Sequence, residues 1–387
     1  MLLPTTSPVA LPAPSSDAQQ LCDALSAKIH EEIARAGGWI DFARFMELAL
    51  YAPGFGYYSA GSTKFGPAGD FITAPEISTA FGRALAITVR VELAALGAST
   101  VLELGAGSGA LAAQLLETLA TLGCDVRYRI LEPSADLRER QQRALRRFAG
   151  RVTWLDALPA EPLNGVVVAN EVLDALPVSR FLKTAGGARA VGVVSSGQGF
   201  AWGEARDVPA LASAVDELER RLGTRLATGY RSEVCLALPA WLQALAAALE
   251  RGSLLFTDYG LVRTEYYHEQ RTSGTLVCHY RHRAHDDPFI YTGLQDITAW
   301  VDFSACADAA VAAGLTVAGF TTQGQYLLGA LTAAPLSLGV IGASPQEQSA
   351  LKTLILPGEM GERFKVMLLR KGSAGPSLPG RDLRHRL

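Results

Sequence analysis

Cysteine is scarce in the chain and follows no pairing pattern: five residues, at 22, 124, 235, 278 and 306, with no C-x-x-C among them. That excludes a cysteine-based zinc site and a disulfide framework, and it favours a reducing compartment. An excess of one charge is missing too. The formal charge of −3 argues against a general nucleic-acid binder, which carries a basic excess to displace counterions. No apolar run is long enough for a membrane span. The longest uncharged stretch, QYLLGALTAAPLSLGVIGAS near residues 325–344, is broken by Pro335, glycines and hydroxyls, and it is expected as a core strand followed by a loop. The opening MLLPTTSPVALPAPSSDAQQ has no basic region and no arginine, and prolines interrupt its apolar residues. It reads as a disordered arm over 1–20, unlike a secretory or mitochondrial leader. The arginine-rich, lysine-poor, alanine-rich composition resembles that of a GC-rich bacterium, so a bacterial cytoplasmic location is the expectation.

What the chain does have is material for a large core. With 49% hydrophobic residues over a length of 387, it fits one large domain with insertions or two domains sharing a core. Leu25, Ile29 and Ile33 recur at helical spacing and stop at Gly37-Gly38; a second helix should start behind Asp41 and end before Pro53. Next comes GFGYYSAGSTKFGPAGDFITAPEIS, closing on Thr73-Ala-Pro-Glu76, a capping box that opens a helix toward Val89. Residues 21–98 are therefore read as a helical N-terminal extension with a glycine- and aromatic-rich lid loop.

From residue 99 the period changes. TVLEL, a helix over 109–120, RYRILE, a helix over 136–148, VTWL and GVVVAN alternate as in a parallel α/β sheet. The first part of that core spans 99–182. A β-rich insertion with a helix follows over 183–234. The core resumes over 235–372, with an acceptor-side loop at 261–303 and candidate strands SLLFTDYG, LTVAGF and RFKVMLLR. Residues 373–387 read as a loose basic tail.

VLELGAGSGAL carries the first chemistry. Glu103 ends a strand, and Gly105, Gly107 and Gly109 lead into a helix whose N-terminus offers free N–H groups. The spacing is G-x-G-x-G, without the G-x-G-x-x-G of a dinucleotide fingerprint. An acid two residues before the first glycine suits S-adenosylmethionine, whose methionyl ammonium needs a carboxylate. Glu132, in RILEPS, follows at the distance where an acid holds both hydroxyls of a ribose. Asp156, after VTWL, is a candidate to reach an adenine, with a loop or helix-cap role as the alternative. In ANEVLDALPV, Asn170 and Glu171 should face the glycine loop across the switch point, where a methyl acceptor would sit, with Asn170 a candidate to bind the cofactor. No N-P-P-Y-like run stands there, which disfavours base methylation.

CHYRHRAHDD, residues 278–287, spaces His279, His282 and His285 three apart. Arg281 and Arg283 interleave them and no second ligand cluster exists, so a pocket wall or a solvated loop is preferred to a metal site, and no metal is expected.

GDFITAPEIS, LELGAGSG, NEVLDALPV, FTDYG and HRAHDDPFIYTGLQDITAWVDFS, in this order, resemble the MidA-like methyltransferases, relatives of the mitochondrial complex I assembly methyltransferase, over residues 30–370. The resemblance implies an α/β fold: a Rossmann-like class I methyltransferase sheet with a helical N-terminal extension and, here, a β insertion. It also implies S-adenosylmethionine as cofactor. The mitochondrial relative is a protein arginine methyltransferase, which points to a protein side chain, arginine among the candidates, as acceptor. On this reading Gly69, Asp70 and Phe71 close over the cofactor, and Glu171, Asp174, Asp258 and His285 are candidates to orient or deprotonate the acceptor. Two rivals stand beside it: a non-catalytic assembly factor that keeps the cofactor pocket, and an NAD-dependent oxidoreductase.

Overall fold

The computed structural model describes residues 11–59, 72–335, 338 and 344–387. The chain forms two compact units from interleaved segments. The core unit comprises Ile72–Leu173, Pro239–Leu261 and Val301–Leu387; the accessory unit comprises Met1–Phe71, Asp174–Leu238 and Val262–Trp300.

Seven strands dominate the core unit: β1 (Thr100–Leu104), β2 (Arg127–Leu131), β3 (Val152–Leu155), β4 (Leu163–Asn170), β5 (Leu249–Leu261), β6 (Thr316–Thr322) and β7 (Phe364–Lys371). Their spatial order is 3-2-1-4-5-7-6. β7 runs antiparallel to both of its neighbours, and the pairings from β3 to β5 are parallel. A two-residue strand, Val301–Asp302, adds to the end of β5. Val166, Val167 and Val168 of β4 are all buried although they point to alternate faces, as a sheet covered on both sides requires. On one face Val166, Val168, Leu255 and Leu368 pack with Phe81, Leu85 and Val89 of helix Thr79–Leu96, and with Leu115 of helix Ala110–Thr121.

The Thr73 capping box forms as expected, but it opens a single turn, Ala74–Ile77. Ser78 is extended and caps a new helix through a bond from Ala80 N.

The strand expected within 325–344 is instead helix Gln323–Thr332. Gln323, Tyr326, Leu327 and Ala330 are its buried residues, a helical stripe, and Thr322 caps it through Oγ1. The tail is not loose either: Leu378 and Leu383 are buried, Leu383 N donates to Phe320 O at 2.8 Å, and Arg370 holds the carbonyls of Gly375 and Pro376. Order also begins earlier than the arm over 1–20 allows, because Ser15 caps a helix that runs Ser16–Arg35.

In the accessory unit, Leu25, Ile29 and Ile33 of that helix pack with Phe42 and Phe45 of helix Phe42–Tyr51. Its main sheet orders Ile40–Asp41, Gly187–Ser196, Ser179–Thr184 and Arg231–Val234, with Gly199–Arg206 paired to Gly187–Ser196. The β insertion expected over 183–234 thus also takes in Ser179–Thr184 and a piece of the N-terminal region. The expected loop over 261–303 contains a small antiparallel sheet in which Val277–Tyr280 lies between Arg283–His285 and Asp296–Thr298. Arg281 and His282, at φ 46° and 60°, make the two-residue turn of its hairpin. Among the described residues no helix is long and apolar enough to cross a membrane.

Candidate functional site

β1 ends in a turn that only glycine takes without strain. Gly105, Gly107 and Gly109 stand at φ 60°, 53° and 84°, in the left-handed region. Gly109 is the N-cap of helix Ala110–Thr121, so the first amides of that helix face the turn. A Cβ on Gly105 would meet Val172 Cγ2 at 3.4 Å, which puts the segment after β4 directly against the glycine turn.

Glu103, one residue before the end of β1, is 2% exposed. Tyr128 Oη donates to its Oε2 at 2.7 Å. Burial pushes its carboxyl up to about 8; the Tyr128 bond pulls the other way and the charge of Glu132 adds to the rise. Glu132, just past β2, is also buried. Its Oε1 accepts from Ser134 N and its Oε2 from Gln141 Nε2, each at 3.0 Å. Gln141 donates in addition to Gly107 O at 3.1 Å and accepts from Trp154 Nε1 at 3.0 Å.

Gln141 and Trp154 were absent from the sequence expectations. The available signal was an amide four residues after Leu137 and four before Leu145, on the apolar face of an otherwise charged helix. Asp156 behaves differently. Its side chain is 89% exposed and pairs with Arg138 Nη2 at 2.7 Å; the same nitrogen donates to Glu132 O. Pro133, Ala135, Arg138, Glu139, Gln142 and Asp156 line an open depression beside the ends of β2 and β3.

At the end of β4, Thr257 Oγ1 donates to Asn170 Oδ1 at 2.6 Å, and Asn170 Nδ2 donates to Glu171 Oε1 at 3.0 Å. Glu171 sits at φ 53°, rare for a residue with a side chain, and its N–H donates to Thr257 O at 2.9 Å. Asp258 is 1% exposed, and its two oxygens accept the backbone N–H groups of Val172, Leu173 and Tyr259.

Asp174 and His285 belong to the accessory unit, where both are buried. Burial lowers the His285 pKa and Asp286 and Asp287 oppose the fall; burial, with His285 nearby, brings His279 down to about 4. In the hairpin Cys278 lies opposite His285 while His282 occupies the turn. Among the described residues no group of three or more His, Cys, Asp or Glu side chains could hold a metal ion. Gly69, Asp70 and Phe71 lie outside the described residues.

The family profile Methyltransf_28, of S-adenosyl-L-methionine-dependent methyltransferases, matches residues 84–321. The chain belongs to this MidA-like methyltransferase family. It is 43% identical to a Burkholderia thailandensis protein whose crystal structure is bound to S-adenosyl-homocysteine, with a TM-score of 0.89 over 98% of this chain and 100% of that one. The rat mitochondrial protein arginine methyltransferase NDUFAF7 is 29% identical over 374 residues, 87% of this chain and 82% of the relative. Its Drosophila melanogaster homolog is 28% identical over 400 residues, 93% of this chain and 88% of the relative. The cofactor of this MidA-like methyltransferase is S-adenosylmethionine, which removes the nicotinamide alternative.

Proposed function

We propose that this methyltransferase acts on a protein, with an arginine side chain as the acceptor. The observation that carries the reading is the Glu171 carboxylate, held at the end of β4 on left-handed backbone by the Thr257–Asn170 chain of hydrogen bonds. The names of the mitochondrial relatives support the same acceptor class.

The cofactor fits the residues at the ends of β1 and β2. A buried carboxyl pushed up to about 8, chiefly by burial, is one that a nearby cation would return to its ionised form, so Glu103 is assigned to the methionyl ammonium. A carboxylate fixed in its plane by Ser134 and Gln141 suits a pair of hydroxyls, so Glu132 is assigned to the ribose. Gly105, Gly107 and Gly109 let the backbone pass close to the ligand. Asp156 is placed at the rim on the adenine side, and Asn170 is assigned to Glu171 instead of the cofactor. When bound, S-adenosylmethionine supplies an electrophilic methyl carbon on a sulfonium.

The rest belongs to the protein. Glu171 holds two N–H groups of the guanidinium and keeps electron density on the attacking nitrogen, then takes the proton that nitrogen sheds. Asn170 and Thr257 fix the direction of that carboxylate. Asp258 secures the backbone behind it, and we read it as a holding group instead of the acceptor's base.

The test is transfer of a radiolabelled methyl group from S-adenosylmethionine into the proteome of cells lacking this chain, followed by acid hydrolysis and amino-acid analysis. Label in methylarginine is expected. Label in lysine would overturn the choice of arginine, and no label in protein would overturn the proposal.

A further inference from the structure

We infer that Gln141 and Trp154 are positioning residues for the ribose: together they lock the Glu132 carboxylate and the glycine turn into one body before any ligand arrives. The inference rests on assigning Glu132 to the ribose hydroxyls.

Gln141 is wholly buried, where an amide left without partners would be costly. All of its polar capacity toward the site is used: Nε2 donates to Gly107 O at 3.1 Å and to Glu132 Oε2 at 3.0 Å, and Oε1 accepts from Trp154 Nε1 at 3.0 Å. Which way the amide points follows from chemistry. An indole N–H only donates, so the oxygen of Gln141 must face Trp154 and both of its N–H groups must face the carbonyl and the carboxylate. The flipped amide would set oxygen against two oxygens and N–H against N–H. Trp154, on β3, thereby dictates what Gln141 offers to Gly107 and Glu132.

The second anchor comes from the same helix. Ser134 N donates to Glu132 Oε1, and Ser134 is also the N-cap of helix Ala135–Ala144, its Oγ accepting from Leu137 N. One helix therefore grips both oxygens of Glu132, from its cap and from its second turn. A carboxylate fixed in this way needs no reorganisation when two hydroxyls arrive, and avoided ordering cost appears as affinity. Because Gln141 also holds the Gly107 carbonyl, the ribose acid and the glycine turn keep their spacing.

Calorimetric titration of the full chain with S-adenosylhomocysteine and with its 2′-deoxy analogue separates positioning from bulk stability. Gln141→Met, close in size, should bind S-adenosylhomocysteine about tenfold more weakly and should discriminate less between the two ligands. Trp154→Phe keeps an aromatic ring, though a smaller one, but removes the N–H that orients the amide, and should shift the same two quantities less far. In a Glu132→Ala background, Gln141→Met should add less than about a twofold loss, since its route to the ribose is gone and only its bond to the Gly107 carbonyl remains. Gln141→Met losing affinity equally for both ligands, or losing as much without Glu132 as with it, would overturn the inference. Should Gln141→Met fail to fold, Trp154→Phe decides, and wild-type discrimination there rejects the proposal. Glu132→Ala with unchanged discrimination would reject the assignment of Glu132 itself, a separate outcome from any result at Gln141.

Discussion

Asp258 accepts the backbone N–H of Leu173 at 2.9 Å, and with the same oxygen that of Val172 at 3.2 Å. The bond pins the chain two residues after Glu171, whose left-handed backbone persists only where its surroundings impose it. Asp258→Asn replaces one accepting oxygen by a donor that opposes a backbone N–H. It should cost about 1–3 kcal/mol of stability and should lower methyl transfer more than S-adenosylhomocysteine affinity. Thermal unfolding alongside a binding titration checks both, and an unchanged melting temperature would show that the turn holds itself.

Glu171→Gln keeps size and some hydrogen bonding but loses the charge that would meet a guanidinium. Affinity for S-adenosylhomocysteine should stay within about twofold, while single-turnover transfer should fall about a hundredfold or more. Thr257→Val, which removes the donor to Asn170, should follow in the same direction by about tenfold. Wild-type transfer by Glu171→Gln would remove Glu171 from the reaction.

With Glu103 assigned to the methionyl ammonium as proposed, cofactor binding is expected to depend on pH. Its carboxyl rises from 4.5 to about 8 on burial, so the folded chain holds a proton there that the unfolded chain has lost. The contribution to stability is complete below 4.5 and is lost as pH rises through about 8. A cation brought beside it favours the ionised form, so binding at about pH 7 should release a proton, and affinity should climb with pH until about 8. Calorimetry in two buffers of different ionisation heat measures the release, and Glu103→Gln should abolish it. A wild-type chain that releases no proton would separate Glu103 from the cofactor.

Arg370 and Glu92 form a buried pair, with Arg370 Nε on Glu92 Oε2 at 2.9 Å and Ser253 Oγ on the same oxygen at 2.5 Å. Arg370→Leu leaves a buried carboxylate and should cost about 3–5 kcal/mol in urea unfolding; Glu92→Met with Arg370→Leu should recover much of that loss. Equal stability of the single and double variants would contradict this.

The parts of the fold legible in the sequence were those where local pattern and final environment agree: TVLEL and GVVVAN read as buried strands, and Leu25, Ile29 and Ile33 as one helical face. Helix Gln323–Thr332 was misread because Gly324, Gly329 and the hydroxyl residues hide its stripe, and packing of Tyr326 and Leu327 decides the outcome. The tail looked loose because Phe320, whose carbonyl anchors Leu383, is distant in sequence, and because nothing local shows that Arg370 is held in place by Glu92. For the candidate site, the glycines at 105, 107 and 109 and the acids at 103, 132 and 171 were legible as a turn and as groups at strand ends, where the structure has them. Gln141 did not, since a buried amide reads like any polar helix residue until its three partners are assembled. Asp258 was legible as an acid at a strand end, whereas its backbone partners, 85 residues away at Leu173, were not.

β7 lies between β5 and β6, although it is made after both. On the ribosome, the two strands that flank it are synthesised with a gap between them, their inward edges lacking the ladder that β7 supplies over Phe364–Lys371. A nascent or truncated chain ending ahead of Phe364 therefore presents two open strand edges, the feature that invites pairing with other chains. The sheet closes only once Phe364–Lys371 has paired with both neighbours, so this late segment is the one that covers the two open edges.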